Sequence, residues 1–396
     1  MRGGGVRRSG SPALSLALLL AGAAHGMVPL GEAGALLPLQ DRVGDPGLAA
    51  AVNAALGEEL SRDHTLADPS ALRDALRRLR IRDVNQAPPA LLDRLGEDLG
   101  VDWFFSATVH QATQRRAVPP QAGRLATRYE TTEYLATAGS VPQLTLSARV
   151  YRVGSGAELE WAGFEAASGL DTRRLLDLGR VDDLEVLGRR VARQLVASLT
   201  SSGEEKRRFA PARNGFLRAP FAVAEMGTVA IVPFNAVTDT DPTVAAETVT
   251  ELALAVFHER GVRLLNPGVV NEILRRQGVR TRGEVDASTR VTLRSEAGAE
   301  LILTGTVESW EVRGGGRSEP EPRVAFALRL LDAESGRILW LDGWDRRGWD
   351  QERIFRSGRI YAAGTLAQEM MQSLVAGLLT PRGRRDQQPS SENRTD

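Results

Sequence analysis

Apolar and polar positions along this chain form blocks of changing period, and one order of blocks occurs twice. In the second occurrence, Thr228 to Pro233 is a continuous apolar run ending in proline, which predicts a short buried strand. Pro242 then opens an Ala/Val/Leu-rich helix reaching about Arg260, with Asp239 and Asp241 just ahead of it as capping candidates. A short strand over Val262 to Leu265 follows, and Asn266-Pro267 starts a helix with Val269, Val270, Ile273 and Leu274 at helical spacing. A further helix is predicted over Ala287 to Ala297, stopped by Gly298. Three extended segments come next, Glu300 to Val312, Arg323 to Asp332 and Arg337 to Trp344, the last two joined by a turn in "DAESGR". A helix from about Ile360 to Leu379 closes the unit.

The first half carries a weaker copy. "ALLPLQDRVGDPGLAAAVNAALGEEL", Ala35 to Leu60, repeats the order apolar strand, proline, acidic loop, Ala-rich helix. A shift of 198 lays "DPSALRDALRRLRI" on "NPGVVNEILRRQGV" and "LGVDWFFSATV" on "AGAELILTGTV". A shift of 180 then lays Pro142 on Pro322 and the following hairpins on each other, and "LGRRVARQLVASL" meets "LAQEMMQSLVAGL". The expected fold class is therefore α/β: two tandem copies of a mixed-sheet module, β-α-β-α-α-β-β-β-α, with helices packed on the sheet. The expected organisation is a signal peptide at 1–26, a first module at 35–200 with an insertion at 110–141, a linker at 201–220, a second module at 221–380 and a disordered tail at 381–396.

Composition narrows the function classes. Fifty Lys+Arg balance fifty Asp+Glu, which argues against nucleic acid or an anionic membrane surface as the main partner. The first 26 residues place Arg2, Arg7 and Arg8 ahead of an apolar stretch, Leu14 to Ala24, too short to span a bilayer, followed by small residues; this reads as an export signal. There are no cysteines, which excludes disulfides, thiol chemistry and a lipid-modified cysteine, so the expectation is an exported, soluble, periplasmic protein without a transmembrane helix.

"VAIVPFNAVTDTDP", "LLNPGVVNEILRRQGV", "AGAELILTGTVESWEV" and "LRLLDAESGRILW" together resemble the α/β envelope module shared by the CsgG, LpoB and TolB N-terminal families, and both copies together cover about residues 35 to 380. The resemblance implies a non-enzymatic exported factor that binds a protein partner in the bacterial envelope, in assembly or as an accessory; homo-oligomerisation is left open. An oligomeric CsgG-like export channel is the alternative, and it would need the 110–141 insertion to order in a membrane. That insertion, about 18 residues longer than its counterpart Glu308 to Glu321, lacks the alternating apolar face of a barrel strand.

Little in the sequence suggests catalysis. His25, His64, His110 and His258 are scattered without metal-ligand spacing and read as surface or helix-end residues. "RGGGR" from Arg313 to Arg317 lies between strands and reads as a hairpin rather than a phosphate cradle. Asp182-Asp183 suits a helix N-terminus. No catalytic residue, metal or cofactor is assigned. The candidate partner interface is "ILWLDGWDRRGWD", Ile338 to Asp350, where Trp340, Trp344 and Trp349 combine with Arg346 and Arg347, the residue types that dominate binding hot spots. If helices cover the strand face shared by Trp340 and Trp344, those tryptophans are core instead.

Overall fold

A computed structural model describes residues 30–113, 142–154, 156, 158–171, 182–200, 221–223, 226–238, 241–279, 285–313, 321–352 and 358–379. The expected signal peptide, most of the insertion, the linker and the tail lie outside the described residues.

The described chain forms two mixed α/β units in tandem. In the first, β1 (Ala33–Leu36), β2 (Gln40–Asp41), α1 (Pro46–Leu60), β3 (Thr65–Leu66), α2 (Pro69–Arg78), α3 (Pro89–Leu99), β4 (Trp103–Thr113), β5 (Gln143–Arg152), β6 (Glu158–Ser168) and α4 (Leu184–Thr200) follow in order. β1 runs parallel to β3 and β4, and β4, β5 and β6 form an antiparallel meander, giving the order β3-β1-β4-β5-β6 with β2 beside β4. The second unit repeats this with β7 (Val229–Ile231), β8 (Asn235–Ala236), α5 (Pro242–Glu259), α6 (Pro267–Arg276), α7 (Ala287–Ala297), β9 (Leu301–Arg313), β10 (Glu321–Asp332), β11 (Ile338–Arg347) and α8 (Ala363–Leu379). Its order is β11-β10-β9-β7 with β8 beside β9. The strand expected over Val262 to Leu265 is reduced to one parallel bridge between Val229 and Leu264. β2 and β8, two residues each, were not anticipated, because so short a strand leaves no periodic signal.

Local chemistry sets the element ends in matching places. Asp45, Asp68, Asp241, Asn266 and Asp286 cap helix starts by accepting from backbone N–H groups, four of them ahead of a proline that needs no partner there. Gly100 and Gly298 end α3 and α7 in left-handed conformation. In β9, a Cβ on Gly305 would come within 3.0 Å of Phe234 and Leu328, so glycine there lets the neighbouring segments close up.

The cross-strand register corrects one detail of the repeat. Val150 pairs with Trp161 and Leu330 with Trp340, each beside a bulge, so β6 and β11 correspond at a shift of 179 and not 180. Trp161 and Trp340 are thus counterparts, and both are core residues.

Each sheet has two faces, and their covering decides what can act. α1 and α4 cover one face of the first sheet, and α5 and α8 cover the same face of the second. α2 with α3, and α6 with α7, cover part of the opposite faces. α5 and α8 also pack against β6 of the first unit, bringing Phe164 and Ala166 into the second unit's core. The two helices are therefore sandwiched between the sheets.

Candidate functional site

Two regions bear on function: the contact between the units, and the end of β11.

The contact is polar at its centre. Ser106, Thr108, Thr145, Ser147 and Arg149 of β4 and β5 point to the α5 side and are buried. Arg149 reaches Glu251 of α5 through Nε at 3.0 Å and through a second, short bond, and it donates to Tyr151 Oη at 3.0 Å. Burial opposes the charge of Arg149, but Glu251 and Tyr151 outweigh it and hold the guanidinium above its ordinary pKa. Burial raises the pKa of the Tyr151 hydroxyl. Arg42 bridges Asp83 at 3.7 Å and Glu247 of α5 at 3.2 Å. Gln143 donates to the Tyr361 carbonyl at 2.7 Å, Thr365 to that of Ala166 at 3.0 Å and Gln368 to that of Phe164 at 3.2 Å. A Cβ on Gly364 would lie 2.5 Å from Thr145 Oγ1 and 2.6 Å from the Ala166 Cβ, so only glycine lets α8 lie this close to the sheet.

His110 is corrected here from a surface or helix-end residue to a buried one. It occupies the bulge of β4, is 3% exposed, and lies 2.8 Å from Ser147 Oγ through Nε2. Burial first, then the charges of Arg149 and Arg42, push its pKa down to about 3, so the ring is neutral. A cleft of about 620 Å³ opens between the units, lined by Arg42, Asn85, His110, Glu247 and Glu251 with apolar walls from Ile231 and Leu254. Three of the carboxylates lining it, at 83, 247 and 251, are engaged by Arg42 and Arg149, and Glu272 also lines it. The chemistry is that of a fastening between modules. His64, the remaining histidine of the first unit, meets the Trp103 ring edge-on at 5.1 Å, and His258 ends α5.

At β11 the structure separates the residues that the sequence groups. β11 is the edge strand of its sheet. Trp340 faces α5 and α8 and is fully buried, so it belongs to the core. Trp344, four residues on along the same strand, is partly buried at the rim of that core, and the Arg346 guanidinium lies 5.2 Å from its ring centroid. Arg347 is exposed and, by strand alternation, on the opposite face. Beside it on that face, Asp345 takes two bonds from Arg323, at 3.0 and 2.6 Å, which hold its carboxyl below the usual range. Trp349 sits past Gly348 in the turn that leaves the strand, half-buried beneath Arg359 at 4.4 Å. Gly348 is in backbone contact with Ile360 and Pro322, closing that turn. Arg359, which also pairs with Glu352 at 2.8 Å, is a member of this cluster that the sequence did not reveal. It is ten residues from Trp349 and only the turn brings them together.

Among the described residues no group of three His, Asp or Glu side chains is placed to hold a metal ion, and no helix is long and apolar enough to cross a membrane.

Comparison with known proteins points to the same class of fold. A family model described as the peptidoglycan-synthase activator LpoB matches residues 248–343. The matched stretch runs from within α5 to within β11, so it lies inside the second unit, whose fold is LpoB-like. No curated protein matches the chain. Among solved structures, the PelC dodecamer from Paraburkholderia phytofirmans is 19% identical over 43% of this chain and 97% of its own, with a TM-score of 0.30. Lipoprotein GNA1162 from Neisseria meningitidis is 19% identical over 30% of this chain and 81% of its own, with a TM-score of 0.27. The LpoB C-terminal domain from Escherichia coli is 13% identical over 30% and 81%, with a TM-score of 0.23.

Proposed function

We propose that this chain is a non-catalytic, exported accessory factor of the bacterial envelope that binds a protein partner through its second unit. The observation that carries the reading is the match of α5 through β11 to the peptidoglycan-synthase activator family. A peptidoglycan synthase is accordingly the first partner to test. The surface we assign to it is the end of β11 and the turn after it, where Trp344, Trp349, Arg346 and Arg347 stand at an edge strand. Aromatic rings with one face packed and guanidinium groups above them are preorganised, so little side-chain entropy is lost on binding.

The test is direct binding of the purified protein to peptidoglycan synthases from the same organism, read by surface plasmon resonance beside a Trp344→Ala, Trp349→Ala variant of verified fold. Micromolar or tighter binding, weakened at least tenfold in the variant, is expected. Binding unchanged in the variant removes the assigned surface; no binding to any synthase removes that partner class.

A further inference from the structure

We propose that the cleft between the units binds a short peptide with free termini, its amine taken by Glu272, its carboxylate by Arg275 and a peptide group by His110. None of the residues assigned above to the end of β11 lines this cleft, so the inference does not rest on the partner reading.

Charge accounting singles out the first two groups. Four carboxylates line the cleft, at 83, 247, 251 and 272, together with three guanidinium groups, at 42, 149 and 275. Arg42 holds both Asp83 and Glu247, and Arg149 holds Glu251. One carboxylate and one guanidinium are left over, both from α6. Neither Glu272 nor Arg275 has a side-chain hydrogen bond or an ion pair among the described residues.

The first unit shows what the same two positions do on an ordinary surface. At the shift of 198, Asp74 and Arg77 of α2 correspond to Glu272 and Arg275, and Arg78 and Asp98 correspond to Arg276 and Glu296. The second of these pairs is kept in both units, Arg78 with Asp98 and Arg276 with Glu296. The first is not. Asp74 and Arg77 meet at 3.8 Å, both exposed, whereas Glu272, half-buried, and Arg275 stay apart on the wall of the cleft. Side chains three residues apart on a helix start only about 5–6 Å from each other, so one small molecule can reach both.

The opposite wall supplies the third group. His110 of β4 is 3% exposed and meets Ser147 through Nε2, and its Nδ1 is buried without a partner. The ring is neutral, so Nδ1 either donates or accepts one bond according to the tautomer, and the Ser147 hydroxyl adapts to either. A buried polar atom left unpaired is costly, and a peptide N–H or C=O entering the cleft supplies the missing bond. The volume of about 620 Å³ lies within the range of small-molecule sites, about 300–1,000 Å³, and Ile231 and Leu254 give a ligand side chain apolar ground. A phosphorylated ligand would meet the unpaired carboxylate at 272, and a polyamine the unpaired guanidinium at 275. A peptide with both termini free satisfies each of them.

The test is isothermal titration calorimetry of the purified full chain with a panel of di- and tripeptides of Ala, Leu and Phe, each also N-acetylated and C-amidated, beside Glu272→Gln and Arg275→Gln variants of wild-type melting. At least one free peptide is expected to bind with a Kd below about 1 mM, and either cap should weaken it about tenfold or more. Glu272→Gln should bind the free and acetylated forms alike, and Arg275→Gln the free and amidated forms alike, a loss of discrimination that a structural role alone would not produce. In protein labelled with 15N-histidine, the Nδ1 resonance of His110 should move on binding. A panel with no member that binds, caps without effect, variants that still discriminate, or a His110 resonance unmoved by bound peptide would each overturn the proposal.

Discussion

α1 and α5 occupy the same place in two copies of one module, yet they bury very different surfaces. α1 buries a single stripe, Leu48, Val52, Ala55, Leu56 and Leu60, and shows alanines to solvent. α5 buries eleven of its residues, around nearly its whole circumference. The difference arises from what lies outside each helix: water for α1, the first sheet for α5. The two units share one order of elements, and the residues on the outward faces make one helix a surface and the other a centre. A fold can thus be conserved between copies while the role of a face is reassigned by a handful of residues such as Glu247, Glu251 and Gly364.

Matched arginines offer the sharpest way to break the comparison. Arg149→Ala should leave Glu251 buried without its partner and cost about 3–5 kcal/mol in chemical denaturation. Replacing Arg149 and Glu251 together by Met and Leu should restore most of that loss, because neither charge is then stranded. Next in size is a pH effect. His110 takes up a proton at about 6.5 when unfolded and only near 3 when folded. Acid therefore favours the unfolded chain, and stability conferred by the neutral ring is complete above pH 6.5 and lost as pH falls toward 3. Between pH 6.5 and 5 the contribution should drop by about 2 kcal/mol, and His110→Gln should flatten that part of the stability profile. Smallest is Arg329→Ala, at the exposed position of β10 that corresponds to Arg149 in β5, which should change unfolding by less than about 0.5 kcal/mol. Equal losses at 149 and 329 would refute the contrast between the two faces.

Much of each unit was legible in the sequence because its signals are local. Helix caps at Asp241 and Asn266, the stop at Gly298, the turn at Asp332 to Arg337 and the apolar stripes of α6 and α8 are set by neighbours within a few residues. The register of the last strand was misread by one residue because hairpin length, and not sequence likeness, fixes it. His110 was misread because its burial depends on α5, more than 130 residues away. The union of the modules left one trace that could have been followed: "TVAAETVTELALAVF" is apolar on more sides than a helix covering a single sheet requires. Arg149 and Glu251 left none, since a strand arginine and a helix glutamate look the same whether they meet each other or water.

The central claim is that α5 and α8 bind both sheets into one cooperative structure. Native-state hydrogen exchange across a denaturant series, resolved by peptide, tests this most directly by comparing β5 and β6 with α5. The account predicts that their slowest amides open at the same free energy in the wild type and separate in Arg149→Ala. If β5 and β6 open at a free energy well below that of α5 in the wild type, the units unfold independently and the claim is contradicted.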